Sequence, residues 1–348
     1  MTEFLKSFVK KNWNKLTTEL PEEMPKDVRD IYVLEICSNE RGKISFLLFA
    51  KNNETPVMVA KLYRESKFDY RLKNEYENLR RIYEKIRRPM TETIPKPLFL
   101  GRINGLNFLI ESGISGFPMI ASEKNAEKHF QLATDWLINF HKATRSCCIC
   151  TDRIESEYVR FLINQHRRFF TINRDEKQLF DWVLKELEQL KGKKVSISVQ
   201  HGDFWSHNIL LLDQTMKVID WEDSVSHISS IDIFHFPLWY GFELTKEGIV
   251  SNDEYKINAL ENIYFRDNWF SNLVYRCQKR YFSEFEIDTE MARLLFIVYL
   301  LHKSNEEYKK RFEIFEGRFT EQVKDNDGLY RKTLSKIAKS KLLYGEII

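Results

Sequence analysis

The sequence contains little glycine or proline and has no excess of either charge. Only 12 glycines and 8 prolines occur among its 348 residues, which excludes collagen-like, linker-like and low-complexity chains. The 54 Lys and Arg residues nearly balance the 51 Asp and Glu residues, so the net charge is only +3. This balance excludes a strongly basic surface and an acidic tail, and we therefore expect no nucleic-acid partner.

Long hydrophobic runs are also missing. The longest apolar run, Leu294–Leu301, is far shorter than the roughly 18–20 residues that a membrane-spanning helix needs. The N-terminal segment Met1–Leu16 contains four lysines and no apolar signal region. We therefore expect a cytoplasmic protein without stable membrane insertion.

The five cysteines form neither a metal-binding pattern nor a disulfide framework. Three of them are crowded together as Cys147, Cys148 and Cys150, and the total is odd. No second pair of cysteines or histidines follows at the spacing of a zinc finger. A structural role or tolerated free thiols are therefore favoured over a metal site.

Apolar and aromatic side chains, in contrast, are abundant. Hydrophobic residues make up 43% of the chain and aromatic residues 14%, which is enough for a large buried core. At about 100–200 residues per domain, the length predicts two domains or one bilobal unit.

The N-terminal segment has the pattern of an amphipathic helix, because apolar residues recur at helical spacing. They are Phe4, Leu5, Phe8, Trp13 and Leu16. This amphipathic helix should pack on the body of the protein, and attachment to a membrane surface is the alternative.

The predicted secondary structure divides the chain into two parts. Period-two alternation and turn residues predict an antiparallel meander, and one main helix over Tyr70–Ile86 lies within this part. Beyond Ser112–Gly116, helical periodicity dominates and is interrupted by one β-rich segment, Val195–Asp223. The predicted fold class is α+β, with a small β-rich N-lobe (residues 1–112) and a large, mostly helical C-lobe (residues 113–348). The predicted N-lobe strands are Ile31–Ile36, Ile44–Ala50, Val57–Tyr63, Leu98–Arg102 and Asn107–Glu111.

The β-rich segment carries polar residues at the spacing of a phosphoryl-transfer site. It reads His201-Gly202-Asp203-Phe204-Trp205-Ser206-His207-Asn208, then an apolar strand, then Ile219-Asp220-Trp221-Glu222. A hairpin of this length returns Asp220 beside the loop, so Asp203, Asn208 and Asp220 should face one small volume. Phosphoryl transfer needs a carboxylate to orient and deprotonate the attacking hydroxyl, and an amide and a carboxylate to hold Mg²⁺. An Asn/Asp-rich turn that only caps strands is the alternative.

This pattern resembles that of the aminoglycoside phosphotransferase/choline kinase superfamily, whose fold is similar to that of protein kinases. The motif H-G-D-x-x-x-x-N matches His201–Asn208, and the motif I-D-W/F-E matches Ile219–Glu222. The resemblance covers about residues 31–240, including the order of the lobes. It implies a bilobal protein-kinase-like fold with ATP and Mg²⁺ as cofactors.

The resemblance also implies roles for individual residues. Asp203 would be the catalytic base, Asn208 and Asp220 would be magnesium ligands, and His201 would orient the backbone of the loop. The last hundred residues match no subgroup of the superfamily.

A pair of charges in the N-lobe gives an independent test. Lys61 ends an apolar strand face, where a buried ammonium group is costly unless it is paired. Glu75 lies on the apolar stripe of the following helix, between Leu72 and Leu79. These two inward-facing charges predict a Lys61–Glu75 ion pair, which in kinase-like enzymes holds the lysine on the nucleotide phosphates. A lysine and a glutamate with solvated ends are the alternative.

Two further segments are predicted to contact the nucleotide. The turn Ser38–Lys43 has a single glycine, which departs from the Gly-rich loop of protein kinases. Its backbone N–H groups, including that of Asn39, are expected to approach the phosphates. Glu111, Ser112 and Gly113 are expected to form the hinge whose backbone contacts adenine.

These observations predict ATP- and Mg²⁺-dependent phosphorylation of a hydroxyl group on a small molecule. Aromatic residues together with Glu222 and Asp223 would suit a cationic amino-alcohol or a sugar. The segment Asp232–Phe236 resembles phosphotransferase-like proteins associated with bacterial surface polysaccharide synthesis, which favours a sugar, and antibiotic modification is a third possibility. The aromatic residues are Trp205, Trp221, Phe236, Trp239 and Tyr240.

Two other functional classes remain open, and the sequence predicts no oligomeric state. A non-catalytic kinase-like scaffold would dock a partner through its cleft or its C-terminal helices, but retention of the whole predicted site argues against it. A hydrolase would hold a transition metal on His201, Asp203 and His207. No further histidine cluster supports that second alternative, which also leaves Lys61 and Glu75 unexplained.

Overall fold

An antiparallel sheet of five strands lies between residues 31 and 112, as the alternating sequence pattern predicts. Its order is β1-β2-β3-β5-β4, and each strand agrees with the predicted one to within a residue or two. The strands are β1 Ile31–Cys37, β2 Lys43–Ala50, β3 Met58–Tyr63, β4 Pro97–Ile103 and β5 Leu106–Ser112.

This computed structural model describes residues 1–18, 31–37, 42–51, 53–103, 105–244, 253–314 and 328–340. The chain groups into two compact units. Unit 1 contains residues 1–120 and 201–225, and unit 2 contains residues 121–200 and 226–348. The division of the chain into an N-lobe (residues 1–112) and a C-lobe (residues 113–348) stays a prediction.

Helices cover both faces of the five-stranded sheet. Two short helices at the N-terminus, α1 (Thr2–Lys11) and α2 (Trp13–Thr17), bury Leu5 and Val9 against one face, in a cluster with Phe46 of β2. The predicted packing of the first helix on the body is thus confirmed, although the helix is interrupted at Asn12. The helix α3 (Asp69–Lys85) packs Leu72 on the other face, against Tyr63 and Leu109.

Unit 1 also contains the hairpin that carries the sequence motifs. Strands β9 (Ile209–Leu212) and β10 (Thr215–Val218) are antiparallel, with Ile209 opposite Val218 and Leu212 opposite Thr215. The short strand β6 (Phe117–Pro118) extends this sheet. The predicted hairpin is thus present, and its turn consists of Asp213 and Gln214. It places Asn208 and Ile219 at the same end, where the Ile219 N–H donates to the Asn208 carbonyl over 3.0 Å.

Unit 2 is mostly helical, which confirms the α+β class, and a third sheet has the strand order β11-β8-β7. Only β8 (Lys194–Gln200) was predicted, because β7 (Cys147–Cys150) and β11 (Val225–Ile228) are too short to show a period. The α-helices are α4 Glu123–Thr144, α5 Thr151–Arg153, α6 Arg160–Phe169, α7 Arg174–Gln189, α8 Ile231–Leu244, α9 Asp253–Tyr264, α10 Trp269–Glu284, α11 Thr289–Ile314 and α12 Leu329–Ser340. A π-helix, Ile154–Val159, precedes α6.

None of the helices that the structure describes is both long and apolar enough to span a lipid bilayer. The cysteines of β7 are free and lie at or near the surface. Within the described ranges, they belong to no group of side chains with metal-binding geometry.

Candidate active site

Lys61 is buried between two carboxylates on the inner face of the five-stranded sheet. It lies in the central strand β3 and is only 5% exposed. Its Nζ is 2.6 Å from Glu75 Oε1 and 2.7 Å from Glu111 Oε1. The predicted Lys61–Glu75 ion pair is therefore present, and Glu111, which was expected to contribute only its backbone, adds a second carboxylate.

One ammonium group thus faces two buried carboxylic acids. Burial has the largest effect on the pKa of each acid. Burial opposes the charge of Lys61, but Glu111 and Glu75 outweigh it and raise the pKa of the lysine above its usual range. Burial raises the pKa of Glu111 to about 7 despite the attraction of Lys61. It also raises the pKa of Glu75, so the two carboxylates resist being ionised together.

Glu75 links the helix α3 to the segment that follows the hairpin. The apolar stripe of α3 packs on the sheet and turns Glu75 inward, where it is fully buried. Its Oε1 also accepts a hydrogen bond from the backbone N–H of Trp221 over 3.0 Å. Asn78, one turn further along α3, donates to the carbonyls of Trp221 and Ser224. The helix therefore fixes the backbone on either side of Glu222.

The predicted catalytic loop is fixed by His201, in agreement with the role that the resemblance implies. The Asp203 N–H donates to His201 Nδ1 over 3.3 Å, and His201 Nε2 lies 3.0 Å from the Ile219 carbonyl. Since Nδ1 accepts, the ring is the tautomer that carries its proton on Nε2 and donates it to Ile219. Gly202 adopts φ +82°, and a Cβ there would lie 2.4 Å from the Asp223 carbonyl oxygen. Only glycine fits this close approach.

Asp203 and Asn208 contact each other across the loop. Asn208 Nδ2 donates to the Asp203 carbonyl over 2.9 Å and to Asp203 Oδ2 over 3.1 Å. A 3₁₀ turn at Ser206–Asn208 makes this contact possible. Because the amide nitrogen is used within the loop, the side-chain oxygen of Asn208 is the atom that it can offer to a metal.

Three carboxylates form a group that suits a divalent cation. Glu75, Asp220 and Glu222 each place one oxygen within 4.8 Å of the others. Asp220, two residues beyond the end of β10, adopts φ +68°, a conformation uncommon for a residue other than glycine. The other oxygen of Glu75, Oε2, is buried and lacks a hydrogen-bond partner in the described part of the chain. These all-oxygen donors fit Mg²⁺, and Asp220 is one of the two predicted ligands.

Several cationic or phenolic groups already contact these carboxylates. Arg71, which is 4% exposed, places Nη1 2.7 Å from Glu222 Oε1 and Nη2 3.4 Å from Asp223 Oδ1. The Tyr63 hydroxyl donates to Glu222 Oε2 over 2.5 Å. Lys43 Nζ donates to Asp220 Oδ1 and lies 3.4 Å from Glu222 Oε2.

Burial and these neighbours set the ionisation of Asp220. Burial alone would raise its pKa, but the charges of Lys43 and Lys61 outweigh burial and lower the pKa to about 2. Asp220 is therefore ionised at neutral pH and available to a cation.

Sequence reasoning missed the side chains of Lys43 and Arg71, although both had a signal. Lys43 and Ser45 of β2 lie on one face of the sheet, and the buried Phe46 lies on the other. Lys61 lies on the same face as Lys43 and Ser45. Arg71 lies four residues before Glu75, so it shares the same face of α3. Neither signal identifies the carboxylate partner, because that depends on where the hairpin ends.

The predicted hinge is used largely within the sheet. The N–H of Ser112 donates to the Lys96 carbonyl over 2.8 Å, and the N–H of Gly113 donates to the Val57 carbonyl over 2.9 Å. A Cβ on Gly113 would lie 1.8 Å from the Pro56 carbonyl oxygen, so a glycine is required. A nucleotide contact at these two residues would therefore have to use their carbonyl groups. Asn39 lies outside the described residues.

An exposed apolar strip lies on the sheet face that carries Lys61, and the sequence analysis did not identify it. Strand pairing aligns Leu34 with Leu47, Val59 and Glu111 across four strands. On β1 the strip includes three exposed side chains. They are Tyr32 at 58%, Leu34 at 54% and Ile36 at 48% exposure.

The expected aromatic pocket for the acceptor is wrong for most of its members. Trp221, Phe236 and Tyr240 are at most 2% exposed and pack in the core, so they cannot line a pocket. Trp205 is half-buried and stacks on His207 with the ring centres 4.2 Å apart. Trp239 is also half-buried, and its Nε1 donates to the Tyr330 hydroxyl. Proximity in sequence did not reveal the depth of these side chains.

Known proteins share features of both the sequence and the fold. The model of the phosphotransferase enzyme family matches residues 41–248. Among solved structures, the aminoglycoside phosphotransferase APH(4)-Ia is similar with a TM-score of 0.54 and 12% identity, over 98% of this chain and 99% of that one. A thermostable mutant of APH(4)-Ia, in ternary complex with AMP-PNP and hygromycin B, is similar with a TM-score of 0.54 and 13% identity, over 94% and 98%. No curated protein matches the sequence. The predicted kinase-like fold is confirmed.

Proposed function

The chain belongs to the phosphotransferase enzyme family, and from this premise we propose that it transfers the γ-phosphoryl group of ATP, with bound Mg²⁺, to a hydroxyl group of a small molecule. The observation that carries the proposal is the convergence of predicted parts in unit 1. The paired Lys61, the Asp203–Asn208 loop and the carboxylate of Asp220 all belong to this unit. A phosphoryl-transfer site needs these three parts.

In this proposal the nucleotide lies along the inner face of the sheet. Lys61 binds the phosphates, and Glu75 holds its ammonium group in place. The exposed apolar strip of β1 supports the proposal, since Leu34 and Ile36 offer an apolar surface to the adenine ring beside Lys61. The complex of the APH(4)-Ia mutant with AMP-PNP supports a nucleoside triphosphate as the donor.

Asn208 and Asp220 would hold the metal, and Glu222 lies near enough to contribute. The metal, when bound, neutralises negative charge that develops on the phosphate oxygens. The helix α3 and the hairpin hold these side chains before any ligand arrives, which lowers the cost of ordering them on binding.

Asp203 orients the acceptor and accepts its proton. The acceptor oxygen forms a bond to the γ-phosphorus while the bond from this phosphorus to the β,γ-bridging oxygen breaks, and ADP leaves. The hydroxyl proton passes to the Asp203 carboxylate. Asn208 holds the backbone and side chain of Asp203, so the carboxylate is positioned in advance.

A sugar is favoured as the acceptor over a cationic amino-alcohol. Arg71 already pairs with both Glu222 and Asp223, so a cationic acceptor would place a second positive group beside an existing one. The half-buried Trp205, which stacks on the exposed His207 close to Asp203 in sequence, suits a neutral polyol better. A place in surface polysaccharide synthesis stays a proposal from the sequence.

Asp203→Asn tests the proposed chemistry. The variant should bind Mg-ATP nearly as well as the wild type, whereas turnover should fall by roughly 10²-fold or more, the usual effect of losing a general base. Turnover is measured as ADP release with pooled sugars and with pooled amino-alcohols as acceptors. Asp213→Asn, the same change at the exposed tip of the hairpin, is the control and should leave turnover unchanged.

Two outcomes would contradict this proposal. Full turnover in Asp203→Asn would exclude Asp203 as the base. Absence of any thermal stabilisation of the wild type by Mg-ATP would favour the alternative of a non-catalytic scaffold, since a ligand that binds the folded state must raise its stability.

A further inference from the structure

Lys43 contacts the carboxylates that the proposed function gives to the metal. It is the first residue of β2, and its side chain is 12% exposed. Its Nζ donates to Asp220 Oδ1 and lies 3.4 Å from Glu222 Oε2. A divalent cation that binds to Asp220 and Glu222 would need the same oxygen atoms. The ammonium group and the metal therefore compete for one position.

The strand register also places Lys43 beside the lysine that is predicted to bind phosphate. In the β2–β3 pair, Lys43 is opposite Tyr63, and Ser45 is opposite Lys61. Lys43 and Lys61 are therefore diagonal neighbours on one face of the sheet, at a separation of about 7–8 Å between backbones. The flexible four-carbon stem of Lys43 can reach a phosphate chain that contacts Lys61.

The surroundings of Lys43 make an unpaired state costly. Burial opposes its charge, but Asp220 and Glu222 raise its pKa well above the usual range, so it stays protonated. A metal that takes these carboxylates leaves a mostly buried ammonium group without its anions. Such a group is destabilising unless another anion replaces them, and the phosphates of the nucleotide are anions of this kind.

We propose that Lys43 is an exchangeable cation that holds Asp220 in the ligand-free protein, yields it to the divalent metal, and then binds the nucleotide phosphates. This inference rests on the proposed function, because it takes ATP and a metal as the ligands. Metal alone must displace Lys43, and nucleotide alone finds Lys43 engaged with Asp220. Each ligand therefore favours the binding of the other, which is a reciprocal coupling free energy.

The coupling is measured with Mn²⁺ and AMP-PNP, and it needs no acceptor. The affinity for Mn²⁺ alone is obtained from the paramagnetic resonance signal of the free ion, and then again with saturating AMP-PNP. Lys43→Met should bind Mn²⁺ alone about tenfold more tightly than the wild type, and AMP-PNP should improve that affinity much less. Lys43→Arg keeps the cation and should restore most of the wild-type coupling.

Lys73→Met is the matched control. It removes the same charge from the exposed face of α3, where Lys73 is 66% exposed, and should leave both affinities unchanged. An unchanged or weaker affinity of Lys43→Met for Mn²⁺ alone would overturn the inference.

A measurement on the wild type makes the test independent of whether the variant folds. Acetylation of lysine amines, followed by mass spectrometry of peptides, reports how accessible and how readily deprotonated each lysine side chain is. Mn²⁺ alone should increase the labelling rate of Lys43 several-fold, and AMP-PNP added with Mn²⁺ should suppress it again. A rate for Lys43 that ignores Mn²⁺ would also overturn the inference.

The two proposals can fail separately. A wild type that binds no Mn²⁺–AMP-PNP at all contradicts the proposed function. A wild type that binds this complex, with Lys43→Met behaving as Lys73→Met does, contradicts only the role of Lys43.

Discussion

Replacing Glu111 with glutamine should remove a pH-dependent loss of stability that the burial of this carboxylate causes. Glu111 is 2% exposed, and its Oε1 lies 2.7 Å from Lys61 Nζ. Its Oε2 is buried and has no hydrogen-bond partner among the described residues. Burial raises the pKa of Glu111 from 4.5 to about 7, although Lys61 acts in the opposite direction. The folded protein therefore keeps a proton here that the unfolded chain has already lost.

The direction and size of the effect follow from proton linkage. Between pH 4.5 and about 7 the folded state binds more protons than the unfolded state, so the free energy of unfolding falls as the pH rises. One group costs about 1.36 kcal/mol for each pH unit of this range, which gives a loss of about 3 kcal/mol above pH 7. Glutamine cannot ionise, so Glu111→Gln should gain about this much relative to the wild type between acid and neutral pH.

The difference between the two proteins is the quantity to measure, because buried histidines act in the opposite direction. Burial lowers the pKa of His166 to about 3 and that of His227 well below its usual value. Both groups therefore destabilise the folded state as the pH falls through the range below about 6.5. This contribution is common to wild type and variant, and it cancels when one free energy of unfolding is subtracted from the other.

Urea titrations at about pH 5, 6, 7 and 8 supply these free energies, with tryptophan fluorescence and circular dichroism as two probes that must coincide. Glu77→Gln makes the same chemical change on α3 at a side chain that is 43% exposed and should differ from the wild type by a constant amount. A difference for Glu111→Gln that is equally constant would refute the view that Lys61 is shared by two acids of which one stays protonated.

Two further substitutions test the metal site and the loop. Asp220→Ala should lose most of the magnesium-dependent part of the thermal stabilisation by ATP, because it removes the predicted ligand; scanning fluorimetry with and without Mg²⁺ measures this, and an unchanged dependence would remove Asp220 from the site. Gly202→Ala should lower the thermal midpoint more than Gly105→Ala, since both glycines have φ +82° but only a Cβ on Gly202 meets backbone, at 2.4 Å. The positive φ alone should cost each variant about 1–2 kcal/mol of stability. Equal shifts of the thermal midpoint in the two variants would mean that the loop accommodates the extra atom.

Local periodicity was sufficient to predict the N-lobe sheet, α3 and the Lys61–Glu75 pair. Alternation in β3 turns Lys61 inward, and the 3.6-residue apolar stripe of α3 turns Glu75 inward. These two inward-facing charges had few possible partners other than each other. The same alternation in β5 puts Glu111 on the face of Lys61, but its position before Ser112 and Gly113 suggested a hinge instead. The salt bridge of Glu111 was missed for this reason.

Features that depend on distant contacts were not predictable. Strands β7 and β11 have four residues each and form by pairing with β8, so neither shows a period of its own. Trp221 and Tyr240 lie near the motifs in sequence, but burial in a core is decided by neighbours from other elements. The contact between Lys43 and Asp220 joins residues 177 positions apart, and it needs both the register of β2 and the end of the hairpin.

The pairing of both lysines in the candidate site has a consequence for which ligand it can bind. Lys61 lies between Glu75 and Glu111, and Lys43 lies on Asp220. A mostly buried charge without a partner costs several kcal/mol, so the ligand-free chain keeps these lysines in place by giving each one a carboxylate. A polyanion alone would draw the lysines away and leave the carboxylates to repel one another and the anion. A metal alone would take the carboxylate partners of Lys43 and leave that ammonium group unpaired. Only a ligand that carries both positive and negative charge, as a metal-bound triphosphate does, supplies partners to the carboxylates and to the lysines. The affinity of the site is therefore the difference in free energy between two states in which these charges are paired.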